Sequence, residues 1–330
     1  MTDSEPILRV DNLCVEFKTR AGTARVLDGV DLTLAQGETL GIVGESGCGK
    51  SMTALSIMRL VPTPPGRIVE GQINLRGEEL LTVSDQRMRE LRGNRVSMIF
   101  QEPMTSLNPV FTIGDQISEA VRLHEAISRA AAAAKAVEML RVVRIPDAEQ
   151  RVHDYPHQLS GGMRQRVMIA MALVCRPDVL IADEPTTALD VTVQAQIFDL
   201  LSDLKQRSGT SIILITHNIG AIAEMADRVA VMYAGRKVEE GPVASVLTNP
   251  QHPYTRGLIA CVPHLHDGEM DTDLAEIPGM VPSILKLGMG CAFAPRCTHA
   301  MDRCRVEQPS VTPVTGTHSV RCFLHQGAPS

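Results

Sequence analysis

Apolar positions along the chain come in short dense runs set between longer mixed stretches, and two periodicities account for most of them. Leu13, Val15 and Phe17 alternate with other residues, as on a half-buried strand. "VLIAD" (179–183) is apolar for four residues and then acidic, the pattern of a parallel strand covered on both faces. "TLGIV", "SIILIT" and "RVAVMY" are runs of the same kind. Helical spacing follows Ser160, where Val167, Ala170, Met171 and Val174 form a stripe. "SMTALSIMRLV" and the alanine-rich "SRAAAAAKAVEMLRVV" also predict helices, alanine being the best helix former.

These elements predict an α/β chain in stages. Residues 1 to about 100 read as strands around one helix, about 104–165 as a helical subdomain, and 166 to about 248 as renewed strand–helix alternation. "TNPQHPYTRGLIACVP" then opens a proline-rich tail, so the expected domains are 1–250 and 251–330. No residue set repeats at a fixed period. No apolar run approaches the ~20 residues that span a bilayer. "MTDSEPILRV" lacks the basic-then-apolar order of a secretory leader. The expectation is a cytosolic protein, where disulfides are uncommon.

Net charge is −6, with three Tyr, six Phe and no Trp, so neither the basic footprint nor the stacking platforms of a nucleic-acid binder are present. The chemistry-bearing stretches point elsewhere. "GESGCGKS" fits G-x-x-x-x-G-K-[ST] with Gly44, Gly49, Lys50 and Ser51. Its glycines let backbone N–H groups curl around phosphate oxygens; Lys50 would reach the β- and γ-phosphates and Ser51 a Mg²⁺ ion. Glu45, Ser46, Gly47 and Cys48 complete the loop, and Met52 follows it into a helix whose positive end faces the anion. Cys48 is either a neutral filler or a thiol made acidic by the surrounding N–H donors. Asp183 closes a buried strand where Mg²⁺ would be held, and Glu184 follows where an attacking water needs a proton acceptor.

"LSGGM" (159–163) supplies a bare helix start, with Ser160 at the N-cap before Gly161, Gly162 and Met163. Here the chain resembles the ABC-transporter ATPases, with Met163 for the more usual Gln. Further stretches match in order: Gln101 in "SMIFQEP", Asp190 in "TTALD" and His217 in "IILITHN". The resemblance implies a P-loop NTPase fold with a RecA-like core, an N-terminal antiparallel β subdomain and a helical subdomain. It assigns Gln101 to the metal and transporter contact, His217 to the γ-phosphate, and the signature and Asp190 to the seam of a head-to-tail dimer. Phe17 falls where the family stacks adenine, although its alternation with Leu13 and Val15 fits a core position equally.

"NPQHPYTRGL" and "QEPMTSLNPVFTIGDQI" resemble the ATP-binding subunits of bacterial dipeptide and oligopeptide importers. That branch implies ATP and Mg²⁺ as cofactors. It also implies a second, related ATPase subunit, two membrane permeases and an extracytoplasmic solute-binding protein, with this chain on the cytoplasmic face of the membrane. Relatives in the branch import nickel, glutathione, opines or sugars. A soluble ABC ATPase regulated by redox state is the rival from another class.

Four of the eight cysteines lie in the loop-rich tail as Cys291-x5-Cys297-x6-Cys304-x17-Cys322. Zinc sites usually show tighter pairs, and the spacing differs from common ferredoxin runs. It leaves a [4Fe–4S] cluster, a zinc site joined by His299, His318 or His325, and plain reduced thiols all open. The importer resemblance implies the cluster. Cys14, Cys175 and Cys261 are scattered and read as buried, inert thiols.

Overall fold

A computed structural model describes residues 5–101, 106–187, 189–261 and 276–326. The expected start of the helical region near 104 lies outside them. The chain forms two compact units, each discontinuous in sequence. One comprises Met1–Leu8, Leu34–Glu38 and Leu75–Ile215; the other comprises Arg9–Thr33, Thr39–Asn74 and Thr216–Ser330.

The first unit holds three parallel strands, β6 (Val96–Ile99), β7 (Val179–Asp183) and β8 (Ser211–Ile215). All residues of all three are buried, which is why their sequences are apolar runs rather than alternations. Helices follow the polar residues able to cap them. Thr112 accepts the Asp115 N–H at the start of α3 (Ile113–His124), and Ser128 accepts the Ala131 N–H at the start of α4 (Arg129–Val142). The alanine-rich stretch is therefore helical, as expected. Helices α3 and α4 pack on one another and on α6 (Gly161–Leu173), while a short helix α5 (Ala148–Arg151) and the earlier α2 (Asp85–Leu91) complete this side. Helix α6 is more buried than its stripe suggested: Met168, Ile169, Ala172 and Leu173 are buried along with Val167, Ala170 and Val174, whereas Met171 is half-buried. A helix buried nearly all round carries a broad apolar surface, so a single stripe understates it. Asp190 caps α7 (Val191–Ser208), which ends at Gly209 in the left-handed region.

In the second unit β1 (Leu8–Thr19) and β2 (Gly22–Leu34) are joined by a two-residue turn, and β4 (Gly66–Leu75) flanks β1 on its other side. The two-residue strand β5 (Glu78–Glu79) belongs to the first unit. A second set of strands runs in the order β11 (Thr312–Thr315), β12 (His318–Val320), β10 (Arg236–Pro242), β9 (Arg228–Tyr233), β3 (Thr39–Val43). Only β3 and β9 are parallel within this set. The tail thus contributes two strands, one of which pairs directly with β10 through Glu239 opposite Val320.

Glu239 organises that junction. It follows a register shift between Lys237 and Glu239, the kind of irregularity that re-aims a side chain. Its fully buried carboxylate accepts the N–H of Gln251 at 2.7 Å and of His252 at 2.9 Å, and lies 2.8 Å from Nε2 of His318. His252 in turn caps α10 (Pro253–Ala260), its Nδ1 accepting the Tyr254 N–H at 3.0 Å. Burial, and secondarily the nearby His325, lower the His252 pKa to about 3.

Two predictions follow from this packing. Ile181 is fully buried at the centre of β7, so Ile181→Ala should cost about 2–5 kcal/mol. Chemical denaturation should show a lower midpoint with an unchanged slope. His252 stays neutral in the fold but takes a proton in the unfolded chain below its ordinary pKa of about 6.5. Its contribution to stability is therefore lost as pH falls from about 6.5 toward 3, with a limiting slope of about 1.4 kcal/mol per pH unit. His252→Asn keeps a capping acceptor but no titration. Its unfolding free energy, followed from pH 6.5 down to 4, should decline less steeply than that of the parent.

Candidate functional site

In the second unit the P-loop leaves β3 and enters α1 (Lys50–Ile57) within seven residues. Gly44 and Gly49 are demanded by conformation and space together. They hold φ of 149° and 105°, and a Cβ would lie 2.2 Å from the Met232 carbonyl oxygen at Gly44 and 2.6 Å from Leu27 at Gly49. Ser46 and Gly47 are exposed at the crown of the loop, while Ser51 and Met52 sit half-buried in the first turn of α1. Lys50 is buried. Its Nζ donates to the carbonyl oxygens of Gly44 at 2.7 Å and Glu45 at 3.1 Å.

Cys48 is fully buried and its Sγ is 3.9 Å from that Nζ. Burial outweighs the lysine and pushes the thiol pKa up, the direction of a neutral filler. Phe17 is half-buried on β1 with its ring against Gly66, where a Cβ would come within 2.7 Å. Its neighbours Leu13, Cys14 and Val15 are all buried, so β1 does not alternate cleanly. Thr216 donates its N–H to Ile42 of β3 at 3.3 Å, which sets the following His217 beside the strand that feeds the P-loop. His217 is exposed, and Asn218 caps the next helix, α8 (Ile219–Met225).

In the first unit Asp183 is buried at the end of β7. Glu184 follows with φ of 47°, a left-handed conformation uncommon outside glycine and costing about 1–2 kcal/mol. Its N–H is anchored on the Ile215 carbonyl at 2.8 Å. The strained backbone turns the carboxylate toward Gln101: Oε2 accepts from Gln101 Nε2 and from Thr187 Oγ1, each at 3.0 Å. Gln101 and Glu184, far apart in sequence, are thereby brought together. Thr187 escaped the sequence reading, and its three-residue offset from Glu184 is the only signal that could have found it. Ser160 caps α6 by accepting the Met163 N–H at 3.4 Å. Gly161 is exposed there, and a Cβ on Gly162 would meet Val193 at 2.9 Å. Asp190, expected at a dimer seam, caps α7 within this chain.

The tail also reaches the P-loop. The buried Tyr254 hydroxyl accepts the Glu45 N–H at 2.8 Å, and Arg296 holds the Glu45 carboxylate with both terminal nitrogens, at 2.7 and 3.0 Å. Sequence reading assigned no role to Arg296 or Glu239. Cys291, Cys297, Cys304 and Cys322 line one small cavity with His252, Phe293 and His299. Burial pushes the thiol pKa values of Cys291, Cys297 and Cys322 up, the last to about 11. Among the described residues no group of three or more His, Cys, Asp or Glu is arranged to hold a metal ion. The expected [4Fe–4S] assignment, and the zinc alternative with it, gains no support from this arrangement. Cys14 is buried as expected, but Cys175 and Cys261 are only half-buried.

A family model described as ABC transporter matches residues 27–187, and one described as the C-terminal region of oligopeptide/dipeptide transporters matches 238–304. The chain is 53% identical to a probable peptide ABC transporter ATP-binding protein of Sinorhizobium fredii, covering 96% of this chain and 94% of that protein. It is 51% identical to the oligopeptide transport ATP-binding protein AppD of Bacillus subtilis, covering 97% of each. The dimeric post-hydrolysis structure of the ATP-binding cassette MJ0796, bound to ADP and Pi, matches with a TM-score of 0.64 at 26% identity, covering 72% of this chain and 98% of that one. With the loop, strand end and signature helix in place, the chain belongs to the ATP-binding proteins of the ABC transporter family, in the branch that carries the oligopeptide/dipeptide C-terminal region.

Proposed function

We propose that this chain hydrolyses ATP to energise the import of dipeptides or oligopeptides, acting on the cytoplasmic face of the membrane with a second, related ATPase subunit. Two permeases and an extracytoplasmic binding protein complete the system. The observation that carries the hydrolytic part is the P-loop: a glycine-shaped crown opening directly into a helix, with Lys50 held under it on two loop carbonyls. The peptide part rests on the C-terminal match and on the relatives' names. Among the described residues no helix is long and apolar enough to cross a membrane.

Residues 44–52 bind the triphosphate, with Lys50 neutralising the β- and γ-oxygens and Phe17 against the adenine. Ser51, Asp183 and Gln101 would hold Mg²⁺, which would neutralise charge on the transferring phosphoryl group. Glu184 orients water and accepts its proton, and the amide of Gln101 on the same carboxylate links that step to the metal and transporter contact. His217 donates to the γ-phosphate. Ser160, Gly161, Gly162 and Met163 present a bare helix start to the nucleotide of the opposite subunit, and Asp190 borders that seam. The domains are a cassette over 1–250, with its helical part over about 104–165, and a tail over 251–330.

For the tail, the importer resemblance alone implies a [4Fe–4S] cluster on Cys291, Cys297, Cys304 and Cys322; no step of hydrolysis would pass through it. Roughly four iron and four sulfide per chain after anaerobic purification is the expected content; iron-free protein would remove this assignment.

Glu184→Gln should bind ATP with near-parental affinity while hydrolysis drops by at least about a hundredfold. Rapid turnover by that variant would sink the general-base role. Lys50→Ala should weaken ATP binding itself by at least about tenfold, measured by titration with a fluorescent ATP analogue.

A further inference from the structure

We infer that Arg296, acting with Tyr254, is a positioning residue for the P-loop, so that a turn of the cysteine tail sets the affinity for nucleoside triphosphate. This deepens, and rests on, the phosphate-binding reading of residues 44–52. The guanidinium of Arg296 is only 4% exposed, and its five N–H donors meet five acceptors. Nε donates to the Pro278 carbonyl at 2.8 Å. Nη1 donates to Glu45 Oε2 at 2.7 Å and to the Tyr233 hydroxyl at 3.4 Å, and Nη2 to Glu45 Oε1 at 3.0 Å and the Ile277 carbonyl at 3.1 Å. A planar fork pinned on three sides by uncharged groups cannot swing, so the carboxylate on its fourth side is held in register.

The consequence runs through one loop residue. Glu45 is gripped at its carboxylate by Arg296 and at its N–H by the Tyr254 hydroxyl, while its carbonyl oxygen accepts from Lys50 Nζ. Two anchors from the C-terminal part of the chain therefore locate the group that orients the phosphate-binding lysine. Tyr254 is itself fixed: it is fully buried, with ring centroids 4.7 Å from Tyr233 and 5.5 Å from Phe293. The turn Ala294–Arg296 is bracketed by two of the four tail cysteines, through Ala294 N–H to the Cys291 carbonyl at 3.0 Å and Cys297 N–H to the Ala294 carbonyl at 3.3 Å. These two backbone hydrogen bonds tie the turn that carries Arg296 to the backbone of both cysteines. A simple staple holding the tail to the core would need none of this geometry on the lysine side.

The test is equilibrium binding of N-methylanthraniloyl-ATP with Mg²⁺ to the full-length chain, with nucleotide-free thermal unfolding measured alongside. Arg296→Gln and Glu45→Gln should each weaken binding by roughly tenfold. The double variant should be no weaker than the worse single, because both remove the same contact. Arg296→Lys should recover part of the loss, a point charge replacing a fork. Binding of Arg296→Gln within twofold of the parent, whatever happens to its melting temperature, would reduce the residue to a staple and overturn the inference; additive losses in the double variant would do the same. Should Arg296→Gln fail to fold, Tyr254→Phe keeps the ring and removes only the hydroxyl. It is expected to weaken binding by about threefold or more, and parental affinity would again overturn the inference. Lys50→Ala separates the two levels. If it binds as tightly as the parent, or the parent does not bind, the phosphate-loop reading fails and takes this inference with it. If it loses binding while Arg296→Gln does not, only the inference falls.

Discussion

A loop that binds phosphate through its backbone must keep most of its N–H groups available to the anion, and this constraint shapes the second unit. Such a loop can use few of the hydrogen bonds that stabilise ordinary turns, so other atoms must help hold its shape. Here the load falls on its carbonyls and on one side chain. Lys50 ties the carbonyls of Gly44 and Glu45 together, the Cys48 carbonyl accepts from Gly235, and the Glu45 carboxylate is clamped by Arg296. Cys48 fills the space beneath, its thiol kept neutral by burial. Lys50, which looks like catalytic equipment, is therefore also scaffolding for the loop.

The first unit meets a different demand. Three parallel strands with every residue buried leave no room for a charge along their length, so Asp183 and Glu184 appear only where β7 ends. Turning Glu184 away from the strand direction costs a left-handed backbone, held in place by its N–H bond to Ile215. The carboxylate so placed is shared by Gln101 and Thr187, which restricts its rotamers before any ligand arrives. Strain in one backbone and order in one side chain are two sides of a single arrangement.

The HPYT segment acquires a physical meaning from the same reasoning. His252 caps the helix with a ring nitrogen, Pro253 occupies the first turn where a missing N–H is harmless, and Tyr254 spends its hydroxyl on the P-loop. Glu239, from the preceding strand, collects the two N–H groups that this helix start would otherwise leave buried and unpaired. The tail is thus joined to the core by a strand, a helix cap and a charge clamp rather than appended to it.

Much of this was legible in the residues alone because it rests on local chemistry. Glycine is the residue that fits at Gly44 and Gly49, the fully buried strands must be apolar, and Ser128, Ser160 and Asp190 can cap helices that begin just after them, so loop, strands and helix starts could be read directly. What escaped depends on partners distant in sequence. The width of the buried face of α6 is set by the elements around it, not by its own period. Arg296 lies 251 residues from Glu45, and Glu239 lies 79 from His318. Neither pair leaves a periodic signal, because a side-chain hydrogen bond needs only two compatible groups wherever the fold happens to bring them. The sequence by itself carried the loop, strand-end and signature motifs of the family; only the tertiary structure decided which groups hold the loop and the strand end still, since that choice is made by proximity in space.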